Sequence, residues 1–590
     1  MEQYLERFNY WIGNSCFDDE TKDELLAIKD DENEIKERFS VDLEFGTAGL
    51  RGIIGAGTNR MNKYVVRRAT QGIADYILAL DKEDKENGVI QEKTRAERGV
   101  VIAYDSRHMS AEFSDEAARC LCANGIKAYR FESLRPTPEL SFSVRTLSCI
   151  AGINITASHN PSNYNGYKVY WEDGAQITPP HDEGIMKQVL SITDFSKCLT
   201  MTKEEAEEKG LYVTVGKELD DMFIECVESS ILNKDLIKEI ADDFTIVYTP
   251  LNGTGHVPVM RVLSDLGFKK VYEVPEQTAP DGNFPTTPYP NPEDKKTFAL
   301  ALKLAEEKNA DIVLATDPDA DRLGVYAKDS KTGEFMAFTG NMSGSLLCEY
   351  LLDQRAARGT LPADGVVVKT IVSTKLMDAV AKSHGCEIIS CLTGFKWICR
   401  EILKEENEGR VRYQFGMEES YGCAIGTYAR DKDAITAVAA LCEAAAFYKK
   451  QGKTLWDAMI DMYEKYGYYK EYTKSAAFPG IEGKAKMAAL LNALRAGAPA
   501  ELAGNRVLTV EDYLLDTVTD TASGSVKSTG LPKSNVIRYL LENDAWVCVR
   551  PSGTEPKIKF YCGVKGTSLP DADRLVNELD EALTKLLESI

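Results

Sequence analysis

The stretch CIAGINITASHNPSNYNGYK, residues 149–168, decides how the rest of the chain is read. Its first seven residues, CIAGINI (149–155), form an apolar run of strand length. Then the composition turns abruptly to Thr, Ser, His, Asn, Pro and Gly. A buried strand that delivers a polar loop is the usual form of a ligand site in α/β proteins, where sites sit outside the carboxyl ends of strands. The loop itself reads in two ways. An Asn/Pro/Gly turn needs no function to explain it. Equally, Ser158 is a reactive hydroxyl held on a tight loop, with Lys168 as a proton carrier or a cation for phosphate. The surroundings are not G-x-S-x-G, which excludes the nucleophile elbow of an α/β-hydrolase.

The strand-and-loop pattern recurs outward from this point. RGVVIAY (98–104), FTIVYT (244–249), ADIVLAT (310–316) and GVVVKTIV (365–372) read as buried strands. Between them, SAEFSDEAARCLCANG (110–125) and KTFALALKLAEEKNA (296–310) have helical spacing. Alternation of this kind predicts parallel or mixed sheets with right-handed crossovers. Near the C-terminus, AWVCVRPSGTEPKIKFYCGV (545–564) suggests two antiparallel strands, followed by a helix with Leu575, Val576, Leu579, Leu583, Leu586 and Ile590 on one face. SAAFPGIEGKAKM (475–487) looks like the opening of a C-terminal domain. The Pro-rich segment 273–296 carries six prolines and is expected to be an irregular, ordered excursion over the surface.

Bulk properties bound the function. A chain of 590 residues suggests about three to five domains. A net charge of −22 argues against nucleic acid as the partner, although local basic clusters can still hold an anionic substrate. The N-terminus MEQYLERFNYWIG lacks the apolar core of a signal peptide. The most apolar stretch, AITAVAALCEAAAFY (434–448), is interrupted by Glu443 and too short for a bilayer. The 14 cysteines include no C-x-x-C pair and read as buried thiols, so a cytoplasmic location with no membrane partner is expected. Five histidines without H-E-x-x-H spacing argue against zinc.

Three further loops carry chemistry. In ATDPDADR (315–322), Asp317, Asp319 and Asp321 fall within five residues. Two carboxylates ~4 Å apart repel by about 4 kcal/mol at an effective dielectric near 20, so such a loop either splays into water or gathers a cation. It is no EF-hand: Arg322 stands where Gly is required and Lys328 where Glu is required. A site of few oxygen ligands suits Mg²⁺. In QFGMEESYG (414–422), Glu418 and Ser420 could face one way and bind a sugar diol. In VRPSGTEPK (549–557), Arg550, Ser552, Gly553 and Thr554 have the composition of a phosphate cradle. For these loops too, an acidic or strand-connecting turn is the plain alternative. QGKTLW (451–456) is not a Walker A loop, because Phe447 stands where Gly is needed, and GIIGAGTNR (52–60) lacks the last Gly of a dinucleotide fingerprint.

Together these loops resemble the α-D-phosphohexomutases, the phosphoglucomutase/phosphomannomutase superfamily. The resemblance runs from FGTAGLRG (45–52) to RPSGTEPK (550–557), in the family's order. It implies an α/β architecture of four domains around a central cleft, three with mixed sheets and a smaller C-terminal α+β domain. The expected spans are 1–205 with the phosphoserine loop, 206–328 with the metal loop, 329–465 with the sugar loop and 466–590 with the phosphate loop. It further implies that Ser158 is the phosphorylated serine, and that Asp317, Asp319 and Asp321, with an oxygen on Ser158, hold one Mg²⁺ per chain. His159 and Lys168 match the proton-transfer neighbourhood, and Arg51 and Arg322 the cationic contacts near the reacting phosphate. Glu418 and Ser420 match the contacts to sugar hydroxyls, and TGFKWI (393–398), with Thr393 and Gly394, a loop that reads the sugar. Arg550, Ser552, Gly553 and Thr554 match the clamp on the distal phosphate, and Lys369 a further substrate-binding lysine. The implied reaction interconverts glucose 1-phosphate and glucose 6-phosphate, with glucose 1,6-bisphosphate as intermediate and activator, in a monomer or homodimer. E-E-S-Y-G and G-L-R-G favour the long-chain phosphoglucomutase and phosphopentomutase branch, which leaves pentose phosphates and then mannose phosphates as alternatives.

Overall fold

The apolar runs become the central strands. In the computed structural model, which describes residues 2–43, 49–478, 480–551 and 557–588, Val100–Tyr104, Ala151–Ile155, Thr245–Thr249, Ile312–Thr316 and Val366–Thr370 are strands with every residue buried. Burial on both faces is why they are continuously apolar rather than alternating. The chain divides into two units, Met1–Tyr326 with Cys423–Ala446, and Ala327–Gly422 with Phe447–Ile590.

The first unit holds a six-stranded sheet in the order Leu50–Ile53, Tyr164–Trp171, Ala151–Ile155, Val100–Tyr104, Ala128–Phe131, Tyr212–Val215. The last four strands run parallel, whereas Tyr164–Trp171 is antiparallel to both of its neighbours. Ala151–Ile155 and Tyr164–Trp171 therefore form a hairpin, with Asn154 opposite Lys168 and the Ser158 loop as its connection. A second sheet places Thr245–Thr249 between Lys270–Glu273 and Ile312–Thr316, parallel to both. Three short helices, Gln3–Gly13, Asp19–Ala27 and Glu32–Phe39, build a separate aromatic core in which Trp11 stacks on Phe17 at 4.2 Å.

The second unit holds three parallel strands in the order Glu387–Cys391, Val366–Thr370, Tyr413–Glu418. It also holds an antiparallel sheet in the order Tyr468–Ala477, Lys557–Gly566, Trp546–Pro551, Ile537–Leu541, Asn505–Asp512, Thr517–Asp520, Val526–Lys527. The helix Leu569–Glu588 covers that sheet with the expected face: Val576, Leu579 and Leu583 are buried, and Leu575 and Leu586 pack beside them. Ile590 lies outside the described residues. The strands Trp546–Pro551 and Lys557–Gly566 pair antiparallel, as their composition predicts.

One expectation is corrected. The Pro-rich segment is not a mere surface excursion. Pro275 opens a one-turn helix, Pro275–Thr278, Phe284 is fully buried, and the Arg107 guanidinium lies 4.9 Å from the Phe284 ring centre. Prolines dominate its composition, but the aromatic residue between them anchors it. The G-K-T decoy resolves as a helix start, with Thr454 and Asp457 forming a capping box. The Ala-rich stretch is the helix Ala434–Lys450, buried from Ala434 to Ala446. Its Glu443 is fully buried and accepts a hydrogen bond from the Asn233 backbone N–H. Among the described residues, no helix is long and apolar enough to cross a membrane.

Gly72 sits in the middle of the 24-residue helix Lys63–Glu86, where glycine costs about 1 kcal/mol relative to alanine. The reason is close approach: a Cβ there would lie 2.8 Å from the Val189 nitrogen and 2.9 Å from its Cα, on the helix His181–Ser191. Backbone cannot yield as a side chain can. Gly72→Ala should therefore destabilise the protein by about 1–3 kcal/mol despite the better helix propensity; an unchanged or higher thermal midpoint would show that the two helices are not locked at this point.

Candidate active site

Ser158 occupies the tip of the hairpin loop in a left-handed conformation, φ 51°. A non-glycine residue pays about 1–2 kcal/mol for that geometry, so its neighbours must hold it there. They do so from both sides. The Ser158 N–H donates to Thr156 Oγ1 at 2.8 Å, and its carbonyl accepts from Arg107 Nη2 at 2.6 Å. Arg107 also donates to the carbonyls of Asn160, Pro161 and Tyr164, and its Nε lies 3.3 Å from Asp105 Oδ2. Both Arg107 and Asp105 are buried. A buried guanidinium serving four carbonyls fixes the loop as a rigid unit. Sequence reasoning missed Arg107; its signal was Y-D-S-R at the carboxyl end of a buried strand.

The loop after Ile312–Thr316 brings its three carboxylates together rather than splaying them. Asp317, Asp319 and Asp321 are all buried, with one oxygen of each within 4.8 Å of the others. The left-handed Ala320, φ 50°, makes the turn that permits it. Asp317 Oδ1 accepts from the backbone N–H groups of Asp321 and Arg322 at 3.1 and 3.0 Å. Asp317 Oδ2 accepts from Ser158 Oγ at 2.8 Å, joining the serine directly to the cluster. Asp319 Oδ2 accepts from Thr137 Oγ1 at 2.9 Å and from Lys168 Nζ at 2.7 Å.

Lys168 faces the cluster because it stands opposite Asn154 in the hairpin. Its Nζ is also 3.7 Å from Asp321. A second lysine, Lys432, lies 3.2 Å from Asp321 Oδ2 and donates to Asp431. Sequence reasoning missed it too. Lys432 belongs to Arg430–Asp433, four successive charged residues that look like a solvated turn and are all buried. The run is held by the Arg430 N–H to Ser141 Oγ at 2.6 Å and by Tyr170 OH to Asp431 at 2.8 Å.

Lys168 and Lys432 face the carboxylates, and Arg322 Nε lies 3.8 Å from Asp321 Oδ1. Burial opposes ionisation of Asp319, but Lys168 beside it holds its carboxyl well below the usual range. Lys168 is correspondingly raised: its burial is outweighed by Asp319 and Asp321. For Asp317, burial together with Asp321 and Asp319 outweighs the nearby Arg322 and pushes the carboxyl well up. Asp319 Oδ1 and Asp321 Oδ1 are buried and receive no hydrogen bond from the described residues. An all-oxygen donor set with open oxygen lone pairs fits a hard divalent cation.

His159 follows the serine, its Nδ1 3.1 Å from Ser158 Oγ and its ring edge-on to Tyr289. Burial, with Arg322 and Arg51 nearby, keeps this imidazole well below its ordinary pKa, so it is neutral. Arg51 donates to Asn160 Oδ1 at 3.1 Å, and Arg322 to Glu293 Oε1 at 2.8 Å. The first unit thus gathers Arg51, Ser158, His159, Lys168, Asp317, Asp319, Asp321 and Arg322 around one cluster.

The second unit gathers another set at the carboxyl ends of its three parallel strands. Thr393 and Gly394 follow Glu387–Cys391, and Gly394, φ 116°, precedes the helix Phe395–Asn407. Thr393 Oγ1 is buried without a hydrogen-bond partner among the described residues. Glu418 ends the strand Tyr413–Glu418 and Ser420 follows in the turn. Between them Glu419 accepts from Thr370 Oγ1 at 3.0 Å, which pins the turn to the neighbouring strand. Lys369 is buried within Val366–Thr370, donates to the Thr374 carbonyl at 2.9 Å and pairs with Asp378. Arg550 is on the strand Trp546–Pro551. Ser552, Gly553 and Thr554 lie outside the described residues.

Comparison with known proteins agrees with this arrangement. Models of the phosphoglucomutase/phosphomannomutase family match four successive segments: α/β/α domain I at residues 42–195, domain II at 221–332, domain III at 339–466 and the C-terminal domain at 485–582. A phosphoglucomutase of Staphylococcus haemolyticus is 36% identical over 524 residues, covering 89% of this chain and 90% of that protein. A phosphoglucomutase of Staphylococcus aureus is 35% identical over 547 residues, covering 92% and 94%. Among solved structures, a phosphoglucomutase/phosphomannomutase family protein from Burkholderia thailandensis superposes with a TM-score of 0.63 at 20% identity, over 92% of this chain and 97% of that one. The pp63/parafusin phosphoglucomutase from Paramecium superposes with a TM-score of 0.65 at 17% identity, over 93% and 94%. With four domain matches in order and relatives of this identity over nearly its whole length, the chain belongs to the phosphoglucomutase/phosphomannomutase family.

Proposed function

We propose that this chain is a phosphoglucomutase, interconverting glucose 1-phosphate and glucose 6-phosphate through a phosphorylated Ser158 and glucose 1,6-bisphosphate. The observation that carries the proposal is the Ser158 Oγ bonded at 2.8 Å to one of three clustered, buried carboxylates. The relatives described above carry the same activity in their names. Phosphate monoesters are among the slowest biological bonds to break unaided, so catalysis rests on positioning and charge neutralisation. A covalent phosphoserine divides the transfer into two easier steps.

Each side chain has a part that its surroundings support. Asp317, Asp319 and Asp321, with an oxygen on Ser158, would hold one Mg²⁺, which when bound supplies positive charge to the transferring phosphoryl group. Arg107 and Thr156 keep the serine aimed. Lys168 is a buried cation that can release a proton at Nζ to the departing sugar oxygen and recover it from the attacking hydroxyl. His159 is neutral and can accept a hydrogen bond beside the serine. Arg51 and Arg322 supply cationic contacts to phosphate. We assign Glu418, Ser420, Thr393 and Gly394 to the sugar, and Arg550 with Ser552, Gly553 and Thr554 to the phosphate that is not being transferred. Lys369 is a further substrate contact. The Asp378 pair and Thr374 carbonyl already engage its ammonium, so we assign it the more distant role. The family's domain order supports the four spans 1–205, 206–328, 329–465 and 466–590 as one functional set, acting on a phosphorylated sugar in the cytoplasm.

Three outcomes follow. Given Mg²⁺ and a trace of glucose 1,6-bisphosphate, the protein should convert glucose 1-phosphate faster than mannose 1-phosphate or ribose 1-phosphate, as followed by phosphorus NMR. A faster ribose reaction would make it a phosphopentomutase by the same mechanism, and no reaction in any tube would overturn the enzyme reading. Ser158→Ala should lower mutase turnover by at least about 10³-fold, because the covalent step is lost. Asp317→Asn keeps an acceptor for two backbone N–H groups while removing one of the three carboxylates. It should leave the thermal midpoint of the metal-free protein little changed, because burial already keeps this carboxyl protonated, and should abolish Mn²⁺ binding measured by electron paramagnetic resonance. Mn²⁺ binding that survives the substitution would contradict the metal assignment.

A further inference from the structure

The Pro-rich segment 273–296 runs past the serine and the carboxylates, and its path is fixed at two points. At the first, Gly282 lies so close to the loop that supports Ser158 that a Cβ would stand 2.7 Å from the His108 nitrogen and 3.0 Å from the Ser106 carbonyl oxygen. Beside it Phe284 is buried against the Arg107 guanidinium, and Asn283 Oδ1 lies 2.9 Å from His108 Nε2. At the second, Pro292 packs on Gly324, where a Cβ would meet the Pro292 carbonyl oxygen at 2.8 Å. Gly324 belongs to the strand Leu323–Lys328, two residues after Arg322. Between the two anchors, Tyr289 stands edge-on to His159 with ring centres 5.7 Å apart.

The second anchor brings Glu293 to Arg322. Asn291 is buried, and its Oδ1 accepts from the Glu293 N–H at 3.0 Å, which holds the Glu293 backbone. Glu293 Oε1 accepts from Arg322 Nη1 at 2.8 Å. An ion pair between two freely moving surface side chains is worth little. Here the two backbones are locked to each other through Pro292 and Gly324, and the Arg322 side chain is only 18% exposed, so less freedom is lost in making the pair.

Other charges act on Arg322 as well. Its Nε lies 3.8 Å from Asp321 Oδ1, outside hydrogen-bond distance. Burial and the nearby Arg322 charge lower the Arg51 guanidinium, and Arg322 works against the rise of Asp317. A guanidinium repelled by Arg51 and drawn by Asp321 and Asp317 would settle on the carboxylates if nothing competed for it. There its N–H groups would occupy an oxygen of the proposed metal site, and it would no longer face a phosphate. Glu293, bound at Nη1, is the competing pull.

We propose that Glu293 is a positioning residue of the active site: it holds the Arg322 guanidinium off Asp321 and presents it to the phosphate of the substrate. The Pro-rich segment is then the strap that carries this residue into the site. The inference rests on the proposed function for the phosphate, but the crystallographic and metal-binding arms of its test need no turnover.

The variant is Glu293→Gln in the full chain, which keeps an oxygen at the same reach and removes the charge. In its crystal structure a guanidinium nitrogen of Arg322 should lie within hydrogen-bond distance of Asp321. Mn²⁺ affinity, measured by electron paramagnetic resonance, should fall about tenfold, the worth of one hydrogen bond to a charged group. kcat/KM for glucose 1-phosphate should fall by a similar factor. Each effect runs through Arg322, so adding Glu293→Gln to Arg322→Gln should change either quantity by no more than about twofold. An unmoved guanidinium in the crystal, or an unchanged Mn²⁺ affinity, would overturn the proposal. Equal losses in both backgrounds would show that Glu293 acts as a bare charge rather than through Arg322, and would overturn it as well. Wild-type protein that binds Mn²⁺ without turning over would end the mutase reading, while the role of Glu293 would stand or fall on the first two measurements. Wild-type protein that binds no Mn²⁺ would remove the site that Glu293 serves and overturn both.

Discussion

Three carboxylates buried within five residues are the constraint around which the first unit is organised. Left unpaired at that depth they would repel one another by several kcal/mol and lose their hydration as well. The fold answers with parts drawn from far along the chain. Lys168 comes from a hairpin strand, Lys432 from a buried loop, Thr137 from a helix start, and two backbone N–H groups from the aspartate loop itself. Even so, Asp319 Oδ1 and Asp321 Oδ1 receive no hydrogen bond from the described residues. An arrangement that was only structural would close those valences; open ones suit the cation proposed above.

The same reasoning explains the strain at Ser158. A left-handed serine is unfavourable in isolation, yet Arg107 fastens the carbonyls around it and Asp105 balances the buried guanidinium. Under the proposed function, rigid support of this kind would hold the serine hydroxyl in place before the substrate arrives, leaving less ordering to accomplish during reaction. The second unit uses a different device. Its candidate residues sit just past the ends of three adjacent parallel strands, and the Glu419–Thr370 hydrogen bond ties two of those ends together. Side chains on such loops can vary without disturbing the sheet beneath.

Much of this was legible in the sequence because it follows from local pattern. Continuous apolar runs give buried strands, and the loops after them stand out by composition, as with Ser158 and Asp317, Asp319 and Asp321. What escaped was long-range. Lys432 lies in a four-residue charged run that any local rule would leave in water; only the packing of that run against Ser141 and Tyr170 reveals it as buried. Arg107 looks like an ordinary surface arginine until its four carbonyl partners, 51 to 57 residues away, are seen. Gly72 looks like a weak point in a helix and is instead a contact with the helix that carries Val189. The Pro-rich segment misled because proline content reports on backbone regularity and says nothing about the burial of Phe284 between the prolines.

The central claim is that Ser158 carries the phosphoryl group. The most direct test is mass spectrometry of the peptides from protein incubated with Mg²⁺ and glucose 1,6-bisphosphate, then with excess glucose 6-phosphate. The account predicts one phosphoryl group on the peptide containing Ser158 after the first incubation, and its loss to the sugar after the second. A phosphoryl group on any other residue, or none on Ser158 while the protein is turning over, would contradict it.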